Sequence, residues 1–205
     1  MASALYLAHL NPLTRAHEEI ISELIEAADT VKVMPVVFRD GGREINSRSF
    51  PFDYETRRRM LRAVFGSSID VTDDYLFEAP FRRYLPPLVR SRPWALRRRI
   101  LRGVEGGYFT YTGDRAEYAM LLAYGLRPRL GRRKEVSATS VKERLFRAAL
   151  GGDEQWRGDV PGPVAKIIDG SWGTVEEYAG TADQTNRVAG MKFPKEGWAE
   201  ARGGA

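Results

Sequence analysis

Two short stretches of this 205-residue chain carry residues whose types and spacing suit phosphate chemistry. In the first, Ala8-His9-Leu10-Asn11-Pro12-Leu13-Thr14-Arg15-Ala16-His17, an apolar run gives way to a turn and then to a helical pattern. A helix entered directly from a strand presents unpaired backbone N–H groups and the positive end of its dipole, and phosphate is the natural guest of such a place. Thr14 and His17 are three apart, so both project from the first turn toward one space, where a hydroxyl and an imidazole can donate to phosphate oxygens. In the second stretch, Val136-Ser137-Ala138-Thr139-Ser140-Val141-Lys142, hydroxyls and a cation again stand at a helix start, just after the consecutive cations Arg132, Arg133 and Lys134. Ordinary capping explains either stretch alone. Both together suit a polyphosphate.

The elements that must position these residues alternate between strand-like and helix-like patterns, the mark of βαβ units. Residues 4–8 form a short apolar run suited to a strand buried on both faces, and Asn11-Pro12 supplies a turn. Thr14 is a good N-cap; Ile20, Ile21, Leu24, Ile25 and Ala28 then recur at helical spacing. Residues 31–37, rich in β-branched side chains, read as the second strand, and a right-handed crossover puts the first helix on one face of the sheet. A polar loop over 39–49 leads to a helix over 53–65 with Tyr54, Met60, Leu61 and Val64 on its buried side. Further strands are expected at 68–72, 108–111 and 126–130, the last interrupted by Pro128, with helices over 115–124 and from 139 or 140 to 150. Pro86, Pro87 and Pro93 break the segment 82–104, within which residues 94–101 can form a helix. The fold expected is therefore α/β: a Rossmann-like parallel sheet of about five strands with helices on both faces and a helical C-terminal segment. One domain is expected over residues 1–178. Residues 179–205, rich in Gly, Ala, Thr and Lys without periodicity, read as a flexible tail.

Composition narrows the chemistry. With no cysteine there is no disulfide, no thiolate metal site and no thiol nucleophile, and with two histidines a multi-histidine zinc site is nearly excluded. No apolar run approaches the roughly 20 residues that cross a bilayer, and the first residues lack the pattern of a secretory signal, so a soluble cytoplasmic protein is expected. The net charge of +5, with arginines concentrated in 82–102 and again in 127–134, favours anionic partners, nucleotides and nucleic acids alike.

At the first turn the sequence resembles the HxGH nucleotidyltransferase superfamily, whose members carry GxFxPxHxGH or GxFxPxTxGH; Asn11-Pro12, Thr14 and His17 fall in register with it. Ala8 and Ala16 stand where that family has glycines, Leu10 where it has phenylalanine, and His9 where its archaeal group commonly has arginine. The second stretch is similar to the superfamily's ISSTxxR motif, with Lys142 in place of the arginine, keeping the charge and losing bidentate geometry. The resemblance is nearest to the archaeal-type nicotinamide mononucleotide adenylyltransferases, over about residues 4–178. Phe52, Arg57 and Met60 match a helix of that group, Tyr111-Thr112-Gly113-Asp114 its strand and polar turn, and Gly152-Asp153-Glu154-Gln155-Trp156 with Val160-Pro161-Gly162-Pro163-Val164 its C-terminal close. On the residues themselves, Trp156, Val160, Val164 and Ile167 read as core.

The resemblance implies an enzyme in which the acceptor phosphate attacks the α-phosphorus of ATP in line and releases pyrophosphate, with Mg2+. His17, Thr14 and Lys142 would act on the phosphates, and Ala8, His9, Leu10, Asn11, Gly113, Asp114, Arg133, Ser137, Thr139 and Ser140 would line the nucleotide site. Trp94 would stack on the nicotinamide ring, packing being the alternative for that side chain. The expected partner is a phosphorylated small molecule, nicotinamide mononucleotide; the sequence leaves a homo-oligomer open. Rival readings are a cytidylyltransferase or another adenylyltransferase of the superfamily, acting on pantetheine phosphate or FMN. From other classes come an RNA-binding or RNA-modifying protein using its arginine clusters, and a non-catalytic nucleotide binder.

Overall fold

The computed structural model describes residues 2–85, 91–113, 115–131, 138–188 and 191–198. In chain order the elements are β1 (Ala2–Ala8), α1 (Arg15–Ala27), β2 (Thr30–Pro35), β3 (Val37–Asp40), β4 (Arg43–Glu44), α2 (Tyr54–Phe65), β5 (Asp70–Val71), β6 (Leu76–Glu78), α3 (Ser91–Ile100), β7 (Gly107–Thr112), α4 (Arg115–Ala123), β8 (Pro128–Leu130), α5 (Ala138–Ala149), α6 (Gly162–Asp169), α7 (Trp172–Ala179), β9 (Thr185–Val188) and β10 (Met191–Pro194). Single 3-10 turns occupy Phe81–Tyr84 and Gln155–Asp159.

Five strands make one sheet in the order β5-β2-β1-β7-β8, and every pairing in it is parallel. The chain works outward from β1 on one side, then returns to β1 and works outward on the other. The sheet therefore switches direction beside β1, at the carboxyl edge where such folds hold ligands. Period-two alternation along β1 divides the core. Ala4 and Tyr6 join α1, α2, α5, α6 and α7 on one face. Leu5 and Leu7 join α3, α4 and a second aromatic cluster on the other. The expected Rossmann-like α/β sheet with helices on both faces is what the chain forms. Trp156, Val160 and Val164 are fully buried, as their pattern indicated, and Ile167 packs against them.

Two expectations give way. The run 31–37 is not one strand: β2 ends at Pro35, and Val37 starts β3, which pairs with β6 in parallel and β4 in antiparallel in a separate three-stranded sheet. Pro35 has no N–H to continue a ladder, while the Val36 N–H turns back to the Ala8 carbonyl at 2.9 Å. Much of the polar loop over 39–49 belongs to this small sheet. The second correction concerns the tail. Over its described residues, 179–188 and 191–198, it is built into the molecule: β9 and β10 pair in antiparallel, and Met191 and Phe193 are buried. The Phe193 ring lies 5.6 Å from Phe38, 5.5 Å from Phe77 and 5.6 Å from Trp198. Phe81 donates its N–H to the Gly197 carbonyl at 2.9 Å, and a Cβ on Gly197 would meet Ala79 and Phe81 at 3.0 Å. Alternating apolar side chains seat the hairpin, a pattern too short for composition to reveal.

Among the described residues no helix is long and apolar enough to cross a membrane. Because Phe193 fills a packed aromatic cluster, Phe193→Ala is expected to cost about 3–5 kcal/mol of unfolding free energy, by the usual penalty for an emptied aromatic site. Urea titration checks it; an unchanged midpoint would mean that the hairpin is not part of the folded unit.

Candidate active site

The turn from His9 to Thr14 leaves the carboxyl end of β1 and is held from several sides. Asn11 is fully buried; its amide Nδ2 donates to the Phe52 carbonyl at 2.7 Å and its Oδ1 accepts the Phe52 N–H at 3.1 Å. Arg57 of α2 is also buried. Its Nη1 donates to the carbonyls of His9 at 3.0 Å and Val36 at 2.6 Å, its Nη2 to the Glu44 carboxylate at 3.0 Å, and its Nε to the Asp53 carbonyl at 3.2 Å. A guanidinium suits this place because its several donors lie in one fixed plane and can serve acceptors from different segments at once. Leu10, with φ 48°, occupies left-handed backbone that a branched side chain seldom adopts, and its side chain is buried in the core.

Thr14 caps α1. Its Oγ1 accepts the His17 N–H at 3.4 Å, while its own N–H donates to His17 Nδ1 at 3.2 Å, a reciprocal capping box. The sequence reading gave both side chains to phosphate, but their roles divide. Thr14 is fully buried, its hydroxyl 3.1 Å from His17 Nδ1, so it fixes the imidazole rather than facing a ligand. Because Nδ1 accepts from the Thr14 N–H, the ring proton resides on Nε2, which leaves a neutral imidazole with a donor on its far side. Burial, and then the Lys142 ammonium, push the His17 pKa down to about 4.

The second helix start meets the first. Lys142 is buried, and its Nζ donates to the Asn11 carbonyl at 3.0 Å. Burial and, next, the ammonium of Lys192 push its pKa down to about 7, against the smaller pull of Asp183 and Glu143. His9 stacks on Phe50 at 4.7 Å and is driven down to about 3 by burial, then by Lys142, Arg57 and Lys192. Two neutral imidazoles, two lysines and an arginine thus share one space of low dielectric, where a polyanion would relieve the repulsion among the lysines and the arginine.

Ala8 ends β1, and Gly113 is exposed just beyond β7, the neighbouring strand at the switch in the sheet. Thr139 and Ser140 are exposed on the first turn of α5. Asp114, Arg133 and Ser137, together with Arg132 and Lys134, lie outside the described residues. Trp94 is on α3 and 45% exposed. Two residues before it, Arg92 donates to the carbonyl of Glu78 at the end of β6, whereas Arg102, past the helix's other end, accepts from Lys32 near the start of β2. Trp94 therefore sits at the end of α3 nearer the carboxyl edge.

Sequence reasoning missed Lys192, Ser47, Ser49 and Asp183. Lys192 Nζ donates to Ser49 Oγ at 2.8 Å and to the Asp183 carboxylate at 3.1 Å. The signal available was the alternation Met191-Lys192-Phe193, which puts the lysine on the face opposite two buried neighbours.

Two structures of a bifunctional NMN adenylyltransferase/ADP ribose pyrophosphatase from Francisella tularensis are similar to this chain, one of them complexed with AMP and a manganese ion. Their TM-scores are 0.57 and 0.63 at 11% and 10% identity, covering 86% and 87% of this chain and 52% of each of theirs. A protein from Vibrio parahaemolyticus, named as a candidate nicotinate-nucleotide adenylyltransferase, aligns with a TM-score of 0.53 at 16% identity, over 86% of this chain and 96% of its own. The chain spans about half the length of the Francisella protein and nearly all of the Vibrio one. At these identities the likeness is one of fold: this is the α/β fold of nucleotide adenylyltransferases. No family model matches the chain, and no curated protein matches it in sequence.

The depressed Lys142 has a measurable consequence. Above pH 7 it is mainly neutral in the free protein, and a polyanion bound against it would favour its charged form, so such binding would take up a proton. ATP affinity is expected to fall from pH 7 to 9, by up to tenfold per pH unit, while below pH 7 this group contributes no uptake. His9 and His17 stay neutral across that window. The same shift makes the unfolded chain hold more protons between pH 7 and the ordinary lysine value of 10.5, so this group's contribution to stability rises with pH there. Calorimetry at pH 8 in two buffers of different ionisation enthalpy reads the uptake directly, and Lys142→Ala is expected to abolish it.

Proposed function

We propose that the chain is a nucleotidyltransferase that moves AMP from ATP to nicotinamide mononucleotide, forming NAD and pyrophosphate. The observation that carries this reading is the 3.0 Å hydrogen bond from Lys142 to the Asn11 carbonyl, which joins two helix starts in one cationic space. The Francisella protein is named for NMN adenylyl transfer and the Vibrio protein for the same transfer to the nicotinate nucleotide, which supports adenylyl transfer to a pyridine nucleotide.

In this reading an oxygen of the acceptor phosphate bonds to the α-phosphorus as the bond to the bridging oxygen breaks, and pyrophosphate leaves with that electron pair. No protein nucleophile is required; the protein aligns the partners and offsets charge. His17 donates from Nε2–H to a phosphate oxygen, Thr14 holds the imidazole in that tautomer, and Lys142 binds the β and γ groups with Thr139, Ser140 and the α5 N–H groups. Ser137, Arg133, Gly113 and Asp114 are assigned to the same nucleotide site. Trp94 of α3 is assigned to the acceptor ring. Among the described residues no three His, Asp or Glu side chains gather around one point. In this reading Mg2+ would arrive with the triphosphate and offset phosphate charge.

The deciding measurement is pyrophosphate release with ATP or CTP against nicotinamide mononucleotide and other phosphorylated acceptors. ATP with nicotinamide mononucleotide is expected to give the highest kcat/KM. A preference for CTP and an alcohol phosphate would replace the substrate assignment, and ATP binding without release from any acceptor would make the chain a non-catalytic binder. His17→Ala is expected to lower kcat by about 10²–10³, the usual loss for one preorganised donor, with the fold intact by circular dichroism. Near-normal turnover would remove His17 from the mechanism.

A further inference from the structure

The C-terminal hairpin brings a second lysine to the site, and its surroundings are built rather than incidental. Ser47 and Phe50 close a four-residue turn, Phe50 N–H to the Ser47 carbonyl at 2.8 Å, and the Phe50 ring stacks on His9. Ser49 of this turn accepts from Lys192 Nζ, which also pairs with Asp183. Arg48 braces the same region, donating to the Tyr178 carbonyl and pairing with Glu143 of α5 at 3.0 Å. Turn, hairpin and α5 thus converge above the β1–α1 turn. Two buried polar atoms there, Ser47 Oγ and His9 Nδ1, have no hydrogen-bond partner among the described residues. Buried polar groups are seldom left so unless a ligand or ordered water completes them.

Donor counting sharpens the point. An ammonium has three N–H donors. Those of Lys192 serve Ser49 and Asp183, and those of Lys142 serve the Asn11 carbonyl, so each retains donor capacity toward a ligand among the described residues. Lys192 is also the charge that bears most strongly on Lys142. Two like charges held close by separate elements cost energy unless an anion lies between them. One lysine is a point charge and cannot fork onto a phosphate as a guanidinium does; two lysines approaching from different directions can hold a diphosphate at two points.

We infer that the hairpin completes the anion site, with Lys192 and Lys142 gripping the departing diphosphate of the triphosphate from two sides and Ser47 closing on it from the 47–50 turn. This deepens the reading of the site as a triphosphate site and rests on it. Asp183 sets the reach of Lys192, and Phe193 and Met191, buried on either side of it in sequence, keep the strand from sliding.

The test uses the full chain and measures dissociation constants for ATP and for inorganic pyrophosphate by calorimetry, alongside kcat and both KM values. Lys192→Ala is expected to weaken ATP and pyrophosphate binding by about 10- to 100-fold, the worth of one charge-assisted hydrogen bond, with the acceptor KM little changed. Lys192→Arg is expected to restore most of the binding. Lys195→Ala, which removes an exposed charge from the same hairpin, controls for net charge and should leave both affinities within about twofold. If Lys192→Ala binds ATP and pyrophosphate as the parent does, or if the loss falls on the acceptor KM alone, the assignment of Lys192 is overturned. If the unmodified chain binds neither probe, the triphosphate reading itself fails, and the two failures are thereby distinct. Equal melting temperatures for the lysine variants and the parent separate lost contacts from lost fold.

Discussion

Leaving a parallel sheet at its carboxyl edge strands backbone carbonyls in a place where water is scarce and no further strand continues the ladder. In this chain the carbonyls of His9 and Asn11 are in that position, and both are satisfied by side-chain cations: Arg57 reaches His9, and Lys142 reaches Asn11. The Asn11 amide meanwhile pairs both ways with the backbone of Phe52. The turn is therefore an assembly of α2, α5 and the segment before α2, and not a local motif that folds by itself. Buried acceptors without partners are costly, and removing one member of a buried charged network generally costs several kcal/mol, so these contacts hold the surrounding elements in one arrangement.

The same solution gives the site its electrostatic character. Burial first, and the neighbouring charges second, drive Lys142 and both imidazoles below their ordinary pKa values, so that the imidazoles are neutral and the lysine is poised near pH 7. Glu44 compensates Arg57, and Asp183 compensates Lys192, whereas among the described residues Asp183 and Glu143 offset Lys142 by less than burial and Lys192 oppose its charge. A lysine poised between its charged and neutral forms in a space of low dielectric is a preorganised receptor for negative charge, since it can take up a proton with little rearrangement of the protein. His17 contributes differently: neutral, and locked by its cap into one tautomer, it offers a directed donor rather than charge.

Periodicity served well wherever a segment's own pattern decides its form. The strand at 4–8, the helices beginning near 14, 53 and 139, and the core positions of Trp156, Val160 and Val164 all follow from apolar residues repeating every two or three to four residues. It failed at Val37 and beyond Tyr178. There the outcome depends on which partner a short extended segment meets: β3 leaves its strand-mate because Pro35 ends the ladder, and β10 forms because Phe193 finds Phe38 and Phe77. For Trp94 the sequence left stacking and packing both open, because the arginine-rich run around it carried no pattern that located it.

Taken by itself, the sequence determined the class of fold and the positions of the two polar helix starts, because caps, turn residues and hydrophobic period act over a few neighbouring positions. Which residues share one site was decided only by tertiary structure. Lys142 lies 131 residues from the carbonyl it binds, and Lys192 143 residues from the serine it touches. Nothing local to a lysine encodes such a partner; it follows from sheet order and from the packing of the hairpin. The division of labour between Thr14 and His17 shows the same limit at short range, since spacing puts both on one turn but only burial settles which of them turns inward.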